Sequence, residues 1–464
     1  MKEGSYGEAI QAFQNSGINI TTEGRRHLGA VIGTSQFKKN FVDGLVAEWV
    51  GQIDRLTEIA KTEPHAAYAG HIHGMQHKYT FAMRTIPGIT EILRPLDQAT
   101  DRLIAVIFQG KVVNNTTRKL ISMPIKMGGL NIKVPSLNAD TQYENSRAVT
   151  KQLVEEVKQQ TKSTHVDAAQ VRKTKQSLKN NKKKKNEREA IRAQMSEQEQ
   201  YHQELISDKG ASHWLNALPI REQRYLLAKQ DFHDALYIRY NIQLKRLPSH
   251  CVCGSSFTIE HALTCGRGGY VISRHNDIRD TTAHIMSQCC QSVCTEPALT
   301  ALSGENFKLK SAATEDDARP DIAATGLWTK GSLAYADVRI FNPLARSYRG
   351  RSLEAAYKQH EKEKKNKFCE RIVNVQHGTF TPLVFTVFGG MSRECSRFYD
   401  RVAELLALKS AIAPTEAIRY VRTRLSFCLL RSVISSVRGS RGIKHDQFPL
   451  DLDVTIENAK ASCN

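Results

Sequence analysis

The stretch CVCGSSFTIEHALTC, residues 251–265, sets three cysteines and one histidine side by side. Soft donors this close together constrain the local fold, because four thiolate or imidazole ligands are the tetrahedral set that zinc prefers. Cys251, Cys253, His261 and Cys265 are the candidate ligands. Gly254 suits the tight turn such a knuckle needs, and Phe257, Ile259 and Leu263 would form its small core. A single residue separates Cys251 from Cys253, where zinc motifs commonly have roughly two to four. Cys289, Cys290 and Cys294 are competing donors, and buried free thiols beside a helix are the alternative reading. Four protein ligands leave no open position, so the expected role of the zinc is structural. None of the ten cysteines precedes residue 251, which confines cysteine chemistry to the second half of the chain.

Charge narrows the class of partner. Lysine and arginine number 66 against 47 acids, a formal net charge of +19. Such an excess attracts polyanions, nucleic acid above all. No apolar run approaches the roughly 18 residues of a membrane span, and the start MKEGSYGEAIQAF lacks the apolar core of a signal peptide. The expectation is a nuclear or cytoplasmic chain, neither secreted nor membrane-bound, with reduced thiols.

Composition and periodicity divide the 464 residues into several regions. Residues 1–150 read as a mostly helical region. Val42, Leu45, Val46, Trp49, Ile53 and Leu56 recur at helical spacing, and residues 89–109 repeat the pattern around Pro95. LISMPIKMGGLNI (120–132), with Pro124 and Gly128-Gly129, reads as strand, turn, strand. Residues 151–210 form a basic helical linker. Within it VRKTKQSLKNNKKKKN (171–186) contains no acid; a solvated linker and a phosphate-contacting arm through Lys182, Lys183, Lys184 and Lys185 both fit. Residues 211–300 read as a helical region carrying the knuckle, residues 301–440 as an α/β domain, and 441–464 as a tail. His65, His71, His73 and His77 match no metal spacing and read as core or exposed histidines.

The α/β region carries a pair of acids in RPDIAATGLWTKGSLAYADVRI. A hairpin turning near Lys330-Gly331 would bring Asp321 and Asp337 to one edge of a sheet. Two carboxylates there can hold Mg²⁺ or Mn²⁺, which activates water and steadies charge on a phosphate. Nucleases of the PD-(D/E)-x-K type carry a lysine two residues after the second acid. Here that position is Arg339, which stays protonated and cannot act as a base. A lysine of the next helix, where Tyr357, Glu361, Lys364 and Phe368 share a face, could substitute. Surface acids paired with neighbouring cations are the plainer alternative.

The order of these elements resembles the C-terminal part of non-LTR retrotransposon polyproteins with a restriction-like endonuclease. The resemblance rests on the Cys/His knuckle, Arg274-His275, Arg319-Pro320-Asp321, Asp337, and Lys364-x-x-Lys367-Phe368. In the first half GRRHLGAVIG (24–33), RTIPGI (84–89) and LISMPIKMGGLNI resemble the segment after the polymerase palm. The resemblance implies an α+β multidomain chain: a helical thumb-like domain, a small zinc knuckle, and an α/β nuclease domain. It implies Asp321 and Asp337 as ligands of magnesium or manganese, Lys364 as the catalytic lysine, and Lys367 as a supporting one. Arg274, His275 and Arg319 would contact nucleic acid, and Glu354 and Glu361 are secondary candidates for the metal shell. Phe368 stands where the family often has tyrosine. The family nicks target DNA, whose 3′ end then primes reverse transcription. The implied partners are DNA, with element RNA as a second candidate, and no small-molecule substrate. No Tyr/Phe-x-Asp-Asp turn occurs in the sequence, so no polymerisation by this chain alone is expected. The alternative function is a zinc-stapled nucleic-acid-binding protein without catalysis.

Overall fold

A computed structural model describes residues 5–111, 114–161, 166–300 and 319–441. The chain is α+β and about 60% helical, with small sheets. It divides into two compact units, Met1–Glu204 with Leu215–Leu236, and Leu205–Trp214 with Tyr237–Asn464. The basic segment expected as a linker therefore belongs mainly to the first unit, and the knuckle shares the second with the α/β region. The tail expected at 441–464 lies, except for Arg441, outside the described residues.

The first unit begins with α1 (Tyr6–Ala12) and an antiparallel ribbon of β1 (Gly24–His27) and β2 (Ala30–Gly33). Helix α2 (Ser35–Ala60) starts where Thr34 Oγ1 accepts the Phe37 N–H, satisfying an otherwise orphaned donor. It buries Val42, Val46, Trp49 and Ile53, the stripe its periodicity predicts. Next come α3 (Pro64–Gly70), a π-helical turn (His71–Met75), α4 (Gln76–Thr85) and α5 (Arg94–Ile107). Pro95 sits in the first turn of α5, where its missing N–H costs nothing.

Residues 120–132 depart from the strand–turn–strand expectation. They complete α6 (Asn115–Ser122) and pass through a 3₁₀ turn (Ile125–Met127) into a loop. Gly128 has φ +91°. A Cβ on Gly129 would collide with the Met123 carbonyl. The two glycines let the chain fold back on α6, and Leu130 N–H reaches Ile121 O at 2.9 Å. Helices α7 (Pro135–Lys158) and α8 (Val166–Arg192) follow, then α9 (Glu197–Ser207) and α10 (Lys229–Arg239).

The second unit holds α11 (Ile259–Thr264), α12 (Tyr270–Ser287), β3 (Gln291–Thr295), β4 (Ile322–Thr325), β5 (Leu333–Phe341), α13 (Leu353–Asn374), β6 (Thr379–Thr386), α14 (Arg393–Ser410) and α15 (Pro414–Arg438). The sheet order is β3-β4-β5-β6. The first three strands run antiparallel, and β6 pairs parallel with β5. A parallel neighbour needs a crossover, which α13 provides, capped by Ser352. The β4–β5 turn spans Lys330-Gly331 as expected, closed by Gly326 N–H to Ser332 O at 3.0 Å. Phe368 and Ile372 of α13 pack on Ala323 and Tyr335. Strand β3 was not anticipated; its sequence, QSVCT, has four exposed residues and no alternating pattern.

Candidate metal centre and carboxylate site

The knuckle residues converge. One ligand atom from each of Cys251, Cys253, His261 and Cys265 lies within 4.8 Å of the others. Tetrahedral zinc with Zn–S near 2.3 Å sets two sulfurs about 3.8 Å apart; Cys251 Sγ and Cys265 Sγ are separated by 3.8 Å. Cys253 Sγ and His261 Nε2 lie at 3.3 Å. Local chain geometry builds this set. Cys251 N–H donates to Ser255 O at 2.8 Å and Gly254 N–H to Cys251 O at 2.9 Å. Gly254 has φ +87°, a conformation that favours glycine. Thr258 Oγ1 caps α11 through the His261 N–H, and Cys265 ends that helix. Hydrogen bonds from Ser255 lower the Cys253 thiol to about 6, while burial raises that of Cys265. The cluster can hold a metal such as zinc. The competing donors Cys289 and Cys290 pair with each other instead, Sγ to Sγ 3.9 Å.

The carboxylates also converge. The β4–β5 ladder pairs Ile322 with Ala336, and one step further sets Asp321 across from Asp337. Both are buried, Asp337 to 3% exposure. Asp321 Oδ2 accepts the Val338 N–H at 2.6 Å and faces His275 Nε2 of α12 at 3.0 Å. Lys364 Nζ of α13 meets Asp337 Oδ2 as an ion pair. Burial, and then the charge of Asp321, push Asp337 up to about 6 against the pull of Lys364 and His275. Burial drags His275 down, but its bond to Asp321 and that carboxylate's charge outweigh it and leave it raised. Two buried acids facing each other, with the His275 ring on Asp321 and Lys364 on Asp337, raise each other's cost of ionisation.

Other anticipated residues fall elsewhere. Arg274, expected at nucleic acid, is buried to 2% exposure. It donates to Leu263 O at 2.9 Å and lies 3.4 Å from Ser436 Oγ. Its neighbour His275 serves Asp321. Lys367 is exposed, with Nζ 5.1 Å above the Phe368 ring. Phe368 is core. Arg319 is half-buried two residues before Asp321. Arg339 is exposed on β5 beside Tyr348, His360 and Glu363. Glu354 pairs with Lys358 at the surface. Glu361 accepts the Glu394 N–H at 3.4 Å. Tyr357 bonds Asp208 at 2.5 Å. Lys182, Lys183 and Lys185 are exposed on α8, and Lys184 is half-buried there. Arg441 was not anticipated. Its guanidinium lies between Phe257 and Tyr270, 5.0 and 4.9 Å from the ring centres, and donates to Ala262 O at 3.0 Å. Nothing in its local sequence, SRGIK, signals that role.

No protein-family model matches the chain, and no curated protein matches it. Among the described residues, no helix is long and apolar enough to cross a membrane.

Proposed function

We propose that this chain is a metal-dependent DNA endonuclease, the C-terminal segment of a non-LTR retrotransposon-type polyprotein in which a structural zinc knuckle precedes a restriction-like nuclease domain. The observation that carries the reading is the approach of Lys364 to Asp337 beside Asp321. A helix lysine meets the acid pair although the in-strand position is Arg339. The strand order, with the acids on adjacent antiparallel strands and the lysine on the crossover helix, supports it.

The residues fit a divalent ion. Asp321 and Asp337 lie across from each other at the end of the β4–β5 ladder, and two facing carboxylates are the hard oxygen donors Mg²⁺ and Mn²⁺ take. Bound there by Asp321 and Asp337, the ion would supply an activated water and neutralise charge at the scissile phosphate. His275 and the Val338 N–H fix the orientation of Asp321. Lys364 balances Asp337 and is placed to steady negative charge on the phosphate. A cleft of about 310 Å³ beside the knuckle is lined by Arg246, Arg438 and Arg441, cations suited to a phosphate backbone.

A second reading, a zinc-stapled nucleic-acid-binding protein without catalysis, draws on the position of Lys367, which lies over Phe368 at the surface. Nicking of supercoiled plasmid with Mg²⁺ or Mn²⁺, beside Asp337→Ala, decides between them. Metal-dependent nicking that Asp337→Ala abolishes is the expected result. Plasmid binding without nicking by the parent protein would leave only the second reading.

A further inference from the structure

The lysine run of α8 does not stand alone. Lys183 Nζ donates to Thr141 Oγ1 of α7 at 3.2 Å. On the next residue of α7, Gln142 Oε1 accepts from Arg84 Nε of α4 at 3.1 Å. Lys133, two residues before α7, is half-buried. Burial, and then the charges of Lys184 and Arg84, hold its ammonium below the ordinary lysine value. Four cations from α4, the foot of α7 and α8 thus meet at one place. Among the described residues none of the four has an ion pair. Elsewhere in the same unit Arg94, Arg102 and Arg118 each have a carboxylate, from Glu91, Asp54 and Asp101. Like charges inside a Debye length repel, so a cluster left without a counter-ion suits an external polyanion.

We propose that Arg84, Lys133, Lys183 and Lys184 form a surface that grips the phosphodiester backbone of a nucleic-acid strand. An anionic membrane would also attract cations, but membrane helices need an apolar face beside them. Between residues 171 and 186 the only apolar residues are Val171 and Leu178. Phe81, one turn before Arg84 on α4, is 49% exposed, and exposed aromatic rings accept stacked bases. The surface lies on the unit that lacks the carboxylate site, and its binding needs no divalent metal.

The test is fluorescence anisotropy of a labelled single-stranded oligonucleotide with the full chain, zinc retained and no Mg²⁺ or Mn²⁺ added, between about 50 and 200 mM salt. Each lost phosphate contact on a single strand lowers the slope of log affinity against log salt by about 0.7. Arg84→Gln/Lys133→Gln/Lys184→Gln should therefore lower it by about 2 and weaken binding at least tenfold at the lower salt. Lys38→Gln/Lys39→Gln/Arg55→Gln removes equal charge from α2 and should keep the parent slope. Because Lys133 is half-buried, Arg84→Gln/Lys184→Gln is measured too, with an expected fall of about 1.4. Equal behaviour of the α2 variant and the cluster variants overturns the proposal. So does binding to phosphatidylserine vesicles in preference to the oligonucleotide. A protein that binds as expected but never nicks plasmid keeps this surface and loses the endonuclease; one that nicks with unchanged binding in the cluster variants does the reverse.

Discussion

Lys364→Met removes the charge from a buried pair while keeping most of the aliphatic stem. Asp337, at 3% exposure, is already pushed up to about 6 by burial and by Asp321. Without Lys364 it rises further. At about pH 7.5 the least costly response is to take up a proton, which limits the loss to about 1.5 pH units times 1.36, or roughly 2 kcal/mol. The sign follows from linkage. A carboxyl raised in the folded state binds protons there that the unfolded chain has already released. Stability of the parent therefore falls as pH rises from about 4 to about 6, then levels. In the variant the fall continues through about pH 7.5, while near pH 5.5 the two proteins differ little. The chain has two units, so the readout must be local. Hydrogen exchange of β5 amides serves, and roughly 2 kcal/mol corresponds to about a thirtyfold loss of protection. Equal loss at both pH values, or none at the higher one, would refute the pairing of Lys364 with Asp337.

Further outcomes follow from the same geometry. Cys265→Ser should abolish bound zinc, measured by elemental analysis of protein purified without chelator, whereas Cys294→Ser should leave it at the parent level, because Cys294 lies outside the ligand cluster. His65 and His71 are buried, and burial lowers each to about 4, with Arg118 adding to the shift of His71. Among the described residues neither nitrogen of His71 has a hydrogen-bond partner. The unfolded chain binds protons at these rings below about pH 6.5, so stability of the first unit should fall as pH drops from about 6.5 to about 4, by on the order of 3 kcal/mol per histidine. Exchange of the α5 amides against pH should show that fall, and His71→Leu should reduce it; an unchanged profile in the variant would exclude His71 as its source.

The features legible in the sequence were those in which neighbouring residues act together. The four knuckle ligands lie within fifteen residues, so a hairpin and one short helix suffice to join them. Asp321 and Asp337 flank a turn whose glycines could be read directly, and Lys364 lies on the one helix able to cross to a parallel strand. Residues 120–132 were misread because Pro124 and Gly128-Gly129 punctuate a helix end as readily as a hairpin; closure of Leu130 and Asn131 onto Ile121 and Met123 decided it. The basic run 171–186 gave charge without an address. Its contacts with Thr141 and Asn145, and its approach to Lys133, depend on how α8 lies along α7. An apolar stripe would have announced that packing, and the run has none.

Arg274 and His275 link the Cys/His cluster to the carboxylate pair. Adjacent side chains on a helix diverge by about 100°, so one points inward to Leu263 O of α11 while the next reaches Asp321. Asn342, just beyond β5, also reaches α11, donating to Glu260 O at 3.5 Å. The six residues of α11 are far too few to hold a helix in water. Arg441 bonds to Ala262 O of that helix, and a metal held by the cluster would fix it further through His261 within it and Cys265 at its end. The carbonyls of α11 in turn anchor the helix that carries His275 and the end of the strand that carries Asp337. Zinc at the knuckle, itself outside the chemistry, would thereby set the orientation of Asp321 through a path of two hydrogen bonds on neighbouring residues. Arg274, which sequence order alone assigns to nucleic acid, is the inward half of that path.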